Sequence, residues 1–566
     1  MLNKKIAYIL LFLILIFAFF LRMPQLNFPA IGYHNMKENN FISIAKNMMH
    51  TGNFIDRSVY YKNAFEDKKD FGEYPQIPFV SYQIILGYKL FGDNLWFPRL
   101  VNIMFMVFSI IVMFLLAHRF TKEYIYSVFT SLLMSILPLG IYCSRNLQPE
   151  SGAFFFMLLG NLFFIKFIQK FKKHNLVLFS FCFAMTLAYK GAFLFGFLPC
   201  FFIFPYRRYL RHRNLKAIIT QVGLVLFPVA VLISYWVVVG QINIYSEGVS
   251  RVDLLRIFSK AYWDENAWLI WRYTKRENFT LVYFLLFIGA MIRVWFSRIK
   301  DKVSLANYLR AWSIGVVIYC VVFSDFINKH NYYQMPFLGF VSLSIVYFLK
   351  EISCFFSRIL RINMRKEIFS VIFALVFALS FSAAQKTTGE QFSTIFPGGD
   401  IVGRLIKDLT TQEDRIFIFT GPQGYSSCTY AERKCGWVDS LEEFKATEEK
   451  FKIRYVVVYP ISFFKDMKTD IKDYVFSHYH VKFVGVSMER DTLTPLALVL
   501  EQGGTVEDLR FFSKNNKYKL RQKTVYETVF LDVPFLLMEA TREQMSAVGN
   551  HGIEDLTRVK SENAGK

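Results

Sequence analysis

Long apolar runs separated by short basic segments constrain this chain more than any other feature. A helix needs about 20 apolar residues to cross a hydrocarbon core about 30 Å thick. Runs of about this length or somewhat shorter occur at 6–21, 96–117, 124–141, 152–169, 175–189, 191–206, 218–240, 279–297, 311–324, 335–350 and 367–384. The sequence therefore predicts a polytopic α-helical membrane protein with about 11 spans.

The positive charge of the chain is concentrated in alternate loops. The formal net charge is +22 at pH 7, which by itself would also suit a nucleic-acid-binding protein. The clusters are Lys4 and Lys5; Arg119 and Lys122; Lys166, Lys170, Lys172 and Lys173; Arg207, Arg208, Arg211, Arg213 and Lys216; Arg298, Lys300, Lys302 and Arg310; and Lys350, Arg358, Arg361, Arg365 and Lys366. Basic loops stay on the cytoplasmic side. We therefore expect no nucleic-acid partner, a cytoplasmic N-terminus and an extracytoplasmic C-terminal region.

The chain divides into a membrane part and a more polar C-terminal part. We expect a membrane domain at 1–384 with large outer loops at 22–95 and 241–278, an extracytoplasmic α/β domain at 385–540, and a polar, disordered tail at 541–566. Strands are predicted at 414–419, 453–459, 480–486 and 528–533, and a helix at 441–451. Cys428 and Cys435 lie close together in this outer part, which favours a disulfide.

The first outer loop contains ionisable residues close to the membrane. From about His34 the pattern predicts a helix along the membrane surface, with His34 and Glu38 four residues apart on one face. This pair could bind a metal ion, orient a hydroxyl group or make only a local contact. Glu38 could also interact favourably with the N-terminus of the helix.

Further along this loop, Glu73-Tyr74-Pro75 precedes the return of the chain to the membrane. The prolines here favour an extended backbone, which would hold Glu73 near the interface at a depth similar to that of Glu38. Two carboxylates at this depth could supply a general base and a partner for a metal ion or another charge. The alternative is that Glu73 is an ordinary solvated acid.

Two short outer loops carry groups suited to an anionic lipid headgroup. In Ser144–Glu150, Arg145 could bind a phosphate, whereas Glu150 is better suited to capping the following helix. The segment Lys329–Pro336 combines Lys329 and His330 with Tyr332 and Tyr333, which would suit a lipid phosphate and its polar head. Lys190, in another short loop, is interpreted as an isolated cation.

The ordered set of these motifs resembles the GT-C superfamily of polyprenyl-phosphate-sugar glycosyltransferases. The resemblance is to the branch of protein O-mannosyltransferases and lipid A aminoarabinose transferases, and it covers roughly residues 1–350. Its elements are an acidic motif before Ile44-Ala45-Lys46-Asn47, then Glu73-Tyr74-Pro75, Leu90-Phe91-Gly92, Arg99-Leu100, Ser144–Glu150 and His330–Pro336.

The resemblance implies that a carboxylate of the first outer loop acts as the catalytic base. The family often has an Asp-Glu pair there, and this chain has Lys37-Glu38, so the first acid of the pair is missing. Glu38 takes the place of the second acid, and His34 or Glu73 could supply the missing function. The residues expected to contact the donor phosphate and lipid are Lys37, Arg145, Lys329, His330, Tyr332 and Tyr333.

The implied reaction is transfer of a sugar, with inversion, from polyprenyl (undecaprenyl) phosphate to a lipid A, glycan or protein acceptor outside a bacterial cytoplasmic (inner) membrane. The sequence has no Walker-type loop, so ATP-driven transport is not expected. No organic cofactor is predicted, and a divalent metal ion stays an open alternative. Two other functions also stay open: a lipid-linked glycan transporter, and a non-catalytic protein that binds the lipid-linked sugar or serves as a scaffold.

Overall fold

The computed structural model describes residues 2–61, 64–65, 77–211, 214–238, 253–297, 303–464, 467–489, 492–504, 518–526 and 535–542. Its residues form two compact units. The first, here called the helical unit, comprises Met1–Asn27 and Glu73–Phe392, and the second, the mixed unit, comprises Phe28–Gly72 and Ser393–Lys566. Our sequence-based division assigned the whole loop 22–95 to the membrane part, whereas most of that loop groups with the C-terminal residues.

The helical unit is built from long apolar helices joined by short turns. Its α-helices are Lys4–Phe20, Phe79–Phe91, Trp96–Thr121, Tyr124–Ser135, Pro138–Arg145, Glu150–Lys170, Lys173–Tyr189, Leu198–Ile203, Tyr206–Arg211, Leu215–Val238, Lys260–Arg272, Leu281–Trp295, Leu305–Val322, Ser324–Ile327, Leu338–Ile359 and Arg365–Ser393. The unit also contains 3₁₀ helices at Gly191–Phe197, Arg256–Phe258 and Asn331–Phe337 and a π-helical turn at Tyr273–Asn278.

Several of these helices are long and apolar enough to cross a bilayer. Within the described residues six helices meet this requirement, and eight do if each of two bent helix pairs counts as one span. The helices Lys4–Phe20 and Lys173–Tyr189 have 17 residues each, and the predicted span at 191–206 divides into a 3₁₀ helix and a six-residue α-helix. The prediction of a polytopic helical membrane protein is confirmed, and the number of about 11 spans stays a prediction.

Two breaks in apolar helices place polar residues within the helical unit. Tyr124–Ser135 and Pro138–Arg145 meet at an angle of 61°. Leu137, which precedes the proline, has the extended backbone that a proline imposes on its neighbour. A second break separates the predicted runs at 175–189 and 191–206, because one helix ends at Tyr189 and Lys190 is extended (φ −163°) before the next begins.

The second large outer loop contains a helix at Lys260–Arg272. Its tryptophan side chains are exposed, Trp268 by 69%, which suits an aromatic surface at a membrane interface. The residues from 239 to 252 lie outside the described part of the chain.

In the mixed unit, the first-loop helix Asn35–Thr51 packs against the C-terminal helix Tyr425–Ala431. The hydroxyls of Ser43 and Thr429 lie 2.9 Å apart, and Asn35 Nδ2 donates to the carbonyl of Gln423 at 3.2 Å. The ring of Tyr61 stacks on that of Tyr425 with 3.6 Å between centroids. The apolar side chains of Phe41, Ile44, Ala45 and Met48 on this helix are buried. This helix is therefore part of the core of the mixed unit.

A seven-stranded sheet forms the rest of the mixed unit. The strands are β1 (Arg415–Thr420), β2 (Lys434–Gly436), β3 (Tyr455–Tyr459), β4 (Tyr479–Glu489), β5 (Thr492–Gln502), β6 (Tyr518–Tyr526) and β7 (Phe535–Arg542), in the order β2-β1-β3-β5-β4-β7-β6. The first three are parallel and the other pairings are antiparallel. Helices Leu441–Phe451 and Thr469–His478 contribute Phe444 and Ile471 to its core, and the helix Gly399–Leu409 completes the unit.

The predicted α/β character is confirmed by β1, β3 and β4 and by the helix at 441–451. The predicted strand at 528–533 lies outside the described part of the chain, and almost all of the predicted tail at 541–566 also lies outside it. Cys428 and Cys435 are buried free thiols, so the disulfide that their spacing favoured is not formed. Burial and the contact with Cys435 raise the pKa of the Cys428 thiol well above its ordinary value, which keeps it protonated.

Candidate functional site: a buried lysine beside two tyrosines

A buried ion pair forms where two helices of the helical unit meet. Lys190 Nζ lies 2.6 Å from Glu150 Oε1, and the side chains are 6% and 0% exposed. Glu150 opens the helix Glu150–Lys170, so its carboxylate also lies at the positive end of a helix. The sequence indicated helix capping for Glu150 and an isolated cation for Lys190. The structure instead gives both residues one shared role as a buried pair.

Lys190 also lies against two neighbouring aromatic rings, whose centroids are 5.2 Å apart. Its Nζ is 4.8 Å from the ring centroid of Tyr332 and 4.4 Å from that of Tyr333. The ring of His330 stacks on that of Tyr332 with 4.9 Å between centroids. We call Lys190, Glu150, Tyr332 and Tyr333 the lysine cage. The two tyrosines predicted to line a lipid-phosphate site therefore contact a cation that the sequence analysis did not single out.

The cage depends on a close approach between Tyr189 and Gly152. A Cβ atom added at Gly152 would lie 2.5 Å from Cε1 of Tyr189, so only glycine leaves room for this ring. Tyr189 precedes Lys190 and Gly152 follows Glu150 by two residues, so this close contact lies beside the ion pair. The backbone at Tyr333 is held by a hydrogen bond as well, since the hydroxyl of Tyr319 donates to the Tyr333 carbonyl at 2.8 Å.

A buried ion pair of this kind costs free energy, so its presence in the fold calls for an explanation. Removing two charges from water costs several kcal/mol for each ion, and their attraction offsets this cost only in good geometry. Ionisable residues inside membrane proteins are accordingly functional candidates. The ion pair and the aromatic contacts of Lys190 are therefore a candidate functional site.

Arg145, predicted to contact a phosphate, lies in the same helical unit at the end of Pro138–Arg145. It is almost fully buried, and its Nη1 donates to the Gln25 carbonyl at 3.0 Å and to Gln25 Oε1 at 3.1 Å. Its guanidinium lies 5.0 Å from the ring centroid of Phe392. Gln25 has φ +56°, a left-handed conformation that non-glycine residues rarely adopt. Arg145 is thus held in a fixed orientation by a strained residue.

The remaining predicted residues of this unit differ in exposure. Lys329 is exposed, and its carbonyl accepts a hydrogen bond from the Tyr273 hydroxyl at 3.1 Å. His330 is half-buried against Tyr332. Glu73, the second predicted catalytic carboxylate, lies outside the described residues, as do Tyr74 and Pro75.

The predicted first-loop residues lie in the mixed unit, at the start of the helix Asn35–Thr51. His34 precedes this helix in a left-handed conformation (φ +62°), and its ring lies 4.0 Å from that of Tyr33. His34, Lys37 and Glu38 are all buried, Glu38 to 1% exposure. The sequence predicted that His34 and Glu38 share one face of a helix. The helix begins only at Asn35, so His34 is not part of the helical turn that contains Glu38.

No group of three or more His, Cys, Asp or Glu side chains is arranged to hold a metal ion in the part of the chain that the structure describes.

The sequence analysis did not identify Lys190 as a site residue, because it interpreted this lysine as one isolated cation of a short loop. One sequence signal could have identified it: an ionisable residue that interrupts two apolar runs is a functional candidate by default.

Comparison with known proteins agrees with this architecture. Residues 74–236 match the model of the dolichyl-phosphate-mannose-protein mannosyltransferase family. A search of curated proteins by sequence gave no match.

Among solved structures, similar folds include the oligosaccharyltransferase of Archaeoglobus fulgidus in the apo form (12% identity, TM-score 0.54, 93% of this chain and 80% of that one). They also include ArnT of Cupriavidus metallidurans bound to undecaprenyl phosphate (14% identity, TM-score 0.52, 88% of this chain and 98% of that one). A third is AglB of A. fulgidus with an inhibitory peptide and a dolichol-phosphate (11% identity, TM-score 0.54, 91% and 80%). The resemblance to the GT-C superfamily of glycosyltransferases is confirmed by the family model and by the shared fold.

Proposed function

We propose that this chain, with the fold of a GT-C superfamily glycosyltransferase, transfers a sugar from a polyprenyl-phosphate donor to an extracytoplasmic acceptor. The observation that carries the proposal is the lysine cage, a buried cation with aromatic walls in a membrane-embedded unit. Solved structures of the same fold contain undecaprenyl phosphate or a dolichol-phosphate, which supports a polyprenyl phosphate as the donor.

In the proposed reaction an acceptor hydroxyl attacks the anomeric carbon of the sugar and its proton passes to a carboxylate. The bond between that carbon and the phosphate oxygen breaks, so negative charge develops on the departing lipid phosphate. Cations fixed in place before the reaction stabilise this charge more than they stabilise the substrate. We assign this role to Lys190 and Arg145, and assign His330, Tyr332 and Tyr333 to contacts with the phosphate and its lipid.

Glu38 is our proposed general base, with Glu73 and His34 as the residues that could act in its place. Lys37 and Lys329 are proposed as further cations for the phosphate. We also propose the predicted orientation, with a cytoplasmic N-terminus and an extracytoplasmic mixed unit in a bacterial inner membrane. The acceptor would be lipid A, a glycan or a protein, and the donor sugar is left open by the chemistry of these residues.

The test is sugar transfer by the purified full-length protein in lipid nanodiscs. Radiolabelled polyprenyl-phosphate sugars would serve as donors and a membrane extract as acceptor, with Glu38→Gln compared with the exposed-acid variant Glu390→Gln. Transfer by the wild type and by Glu390→Gln, but not by Glu38→Gln, would support the proposal and its base. Transfer retained in Glu38→Gln would move the base to Glu73 or His34. Binding of the donor with no transfer to any acceptor would favour the non-catalytic function.

A further inference from the structure

The π-helical turn Tyr273–Asn278 contains a buried carboxylate that the proposed reaction does not use. Glu277 is 6% exposed, and its Oε1 lies 2.8 Å from Nε of Arg272. Its second oxygen, Oε2, accepts a hydrogen bond of 3.0 Å from Nδ2 of Asn331. π-Helical turns are rare and occur frequently at functional sites. Glu277 therefore links an unusual backbone segment to the residue immediately before Tyr332.

Asn331 is held by two consecutive residues of this turn. While Glu277 accepts from its side chain, Nδ2 of Asn278 donates to the Asn331 carbonyl at 3.2 Å and to Gln334 Oε1 at 2.8 Å. Gln334 in turn donates to the hydroxyl of Thr274 at 3.1 Å. Asn331 is fully buried, so losing a partner would leave a desolvated amide. The 3₁₀ segment with both cage tyrosines is thus fixed at its first residue and again three residues later.

We propose that Glu277 is a positioning residue for donor binding: by holding Asn331 it keeps Tyr332 and Tyr333 in contact with Lys190. This inference rests on the proposed function, because it takes the lysine cage as the site of the donor phosphate. Glu277 acts through Asn331 and contacts no reacting atom. Its carboxylate is suited to this role because a hydrogen bond to an ionised acceptor is stronger than one between neutral groups.

The direction of this hydrogen bond allows a reversal experiment. Asn331→Asp places a second carboxylate against Glu277, and two like charges about 3 Å apart repel each other strongly. In the double variant Glu277→Gln with Asn331→Asp the direction of the hydrogen bond reverses, because the amide introduced at position 277 donates to the carboxylate introduced at position 331. We expect the single Asn331→Asp variant to lose at least about tenfold in affinity for polyprenyl phosphate and the double variant to recover to within about threefold of wild type.

Two measurements are made on the full-length protein. Hydrogen exchange of the backbone at 331–337 reports whether the turn is held, without any donor, and titration with undecaprenyl phosphate reports binding. Asn331→Asp should speed exchange and weaken binding, and the double variant should reverse both, while Glu390→Gln, which removes an exposed acid paired with Arg276, should change neither.

Exchange unchanged in Asn331→Asp, or not restored in the double variant, would overturn the positioning role. Restored exchange with donor affinity unaffected by any variant would also overturn it. If hydrogen exchange in the variants changed as expected but the wild-type protein bound no polyprenyl phosphate, the proposed function would be refuted instead. Failure of the positioning role and failure of the proposed function are therefore distinguishable.

Discussion

Replacing Lys190 with methionine separates the stability of the lysine cage from its function. The substitution keeps the length and most of the volume of the side chain and removes the charge. It removes the ion-pair partner of Glu150, a carboxylate that is 0% exposed. Breaking a buried pair in this way costs about 3–5 kcal/mol of the free energy of unfolding. A donor phosphate would also lose a charge-assisted hydrogen bond of about 1.5–3 kcal/mol, which is about 10- to 150-fold in the dissociation constant.

The second variant removes both charges, Lys190→Met together with Glu150→Gln. Without a buried charge most of the lost stability should return, because replacing both members of a buried pair is often close to neutral. Donor affinity and sugar transfer should stay low, because no cation of the cage faces the phosphate. Thermal unfolding in nanodiscs, titration with undecaprenyl phosphate and the transfer assay measure the three quantities separately, with Lys173→Met at the exposed start of the preceding helix as the control.

The double variant decides between structure and function. If it regained sugar transfer along with stability, Lys190 would be a structural residue and the reasoning from the cage would be refuted. If Lys190→Met alone kept full donor affinity, the phosphate would bind elsewhere, and Arg145 would be the next residue to substitute.

Three further predictions follow from buried contacts elsewhere in the chain. Gly152→Ala would force the Tyr189 ring to move, since the new Cβ would lie 2.5 Å from it; we expect a loss of about 1–3 kcal/mol in stability and weaker donor binding, whereas Gly223→Ala, with open space around its Cβ, should leave donor titration unchanged. Burial raises the pKa of Asp400 to about 6, so the folded mixed unit prefers the protonated acid and loses stability as pH rises from about 4 to 6. Asp400→Asn should remove that loss, up to about 3 kcal/mol, seen as hydrogen-exchange protection of the mixed unit that no longer falls with pH; a profile like that of wild type would contradict this. Burial opposes ionisation of Glu432, yet its two lysine partners, Lys46 and Lys407, lie 2.8 and 2.7 Å away and lower its pKa. Glu432→Gln should therefore speed hydrogen exchange in the helix at 35–51, relative to wild type, above about pH 5 and lose this effect at lower pH. A variant that exchanged like wild type at both pH values would refute the stabilising role of the pairing.

The helical part of the fold could be read from the sequence because it depends on local composition. Apolar runs predicted the positions of most helices to within a few residues, and the break at Lys190 was visible as a charge between two runs. The helix at 441–451 and strands β1 and β3 followed from periodicity and turn residues. The antiparallel strands β5, β6 and β7 were not predicted, because strand pairing depends on contacts between distant segments.

The candidate site was only partly predictable for the same reason. Tyr332 and Tyr333 were singled out because they follow a cation and an imidazole in the chain. Their actual cation partner, Lys190, is more than 140 residues earlier. Glu277 gave no signal in the sequence, since its importance comes from a π-helical turn and from a hydrogen bond to Asn331.

The sequence by itself determined that the chain is a polytopic membrane protein with an attached α/β part, because burial of apolar segments in lipid is a property of each segment. It also indicated a glycosyltransferase-like order of motifs. Only the tertiary structure decided that Phe28–Gly72 folds with the C-terminal residues and that Glu150 neutralises Lys190. A charge in an apolar setting takes its partner from whichever element lies within a few ångströms, and that choice is made by helix packing rather than by distance along the chain.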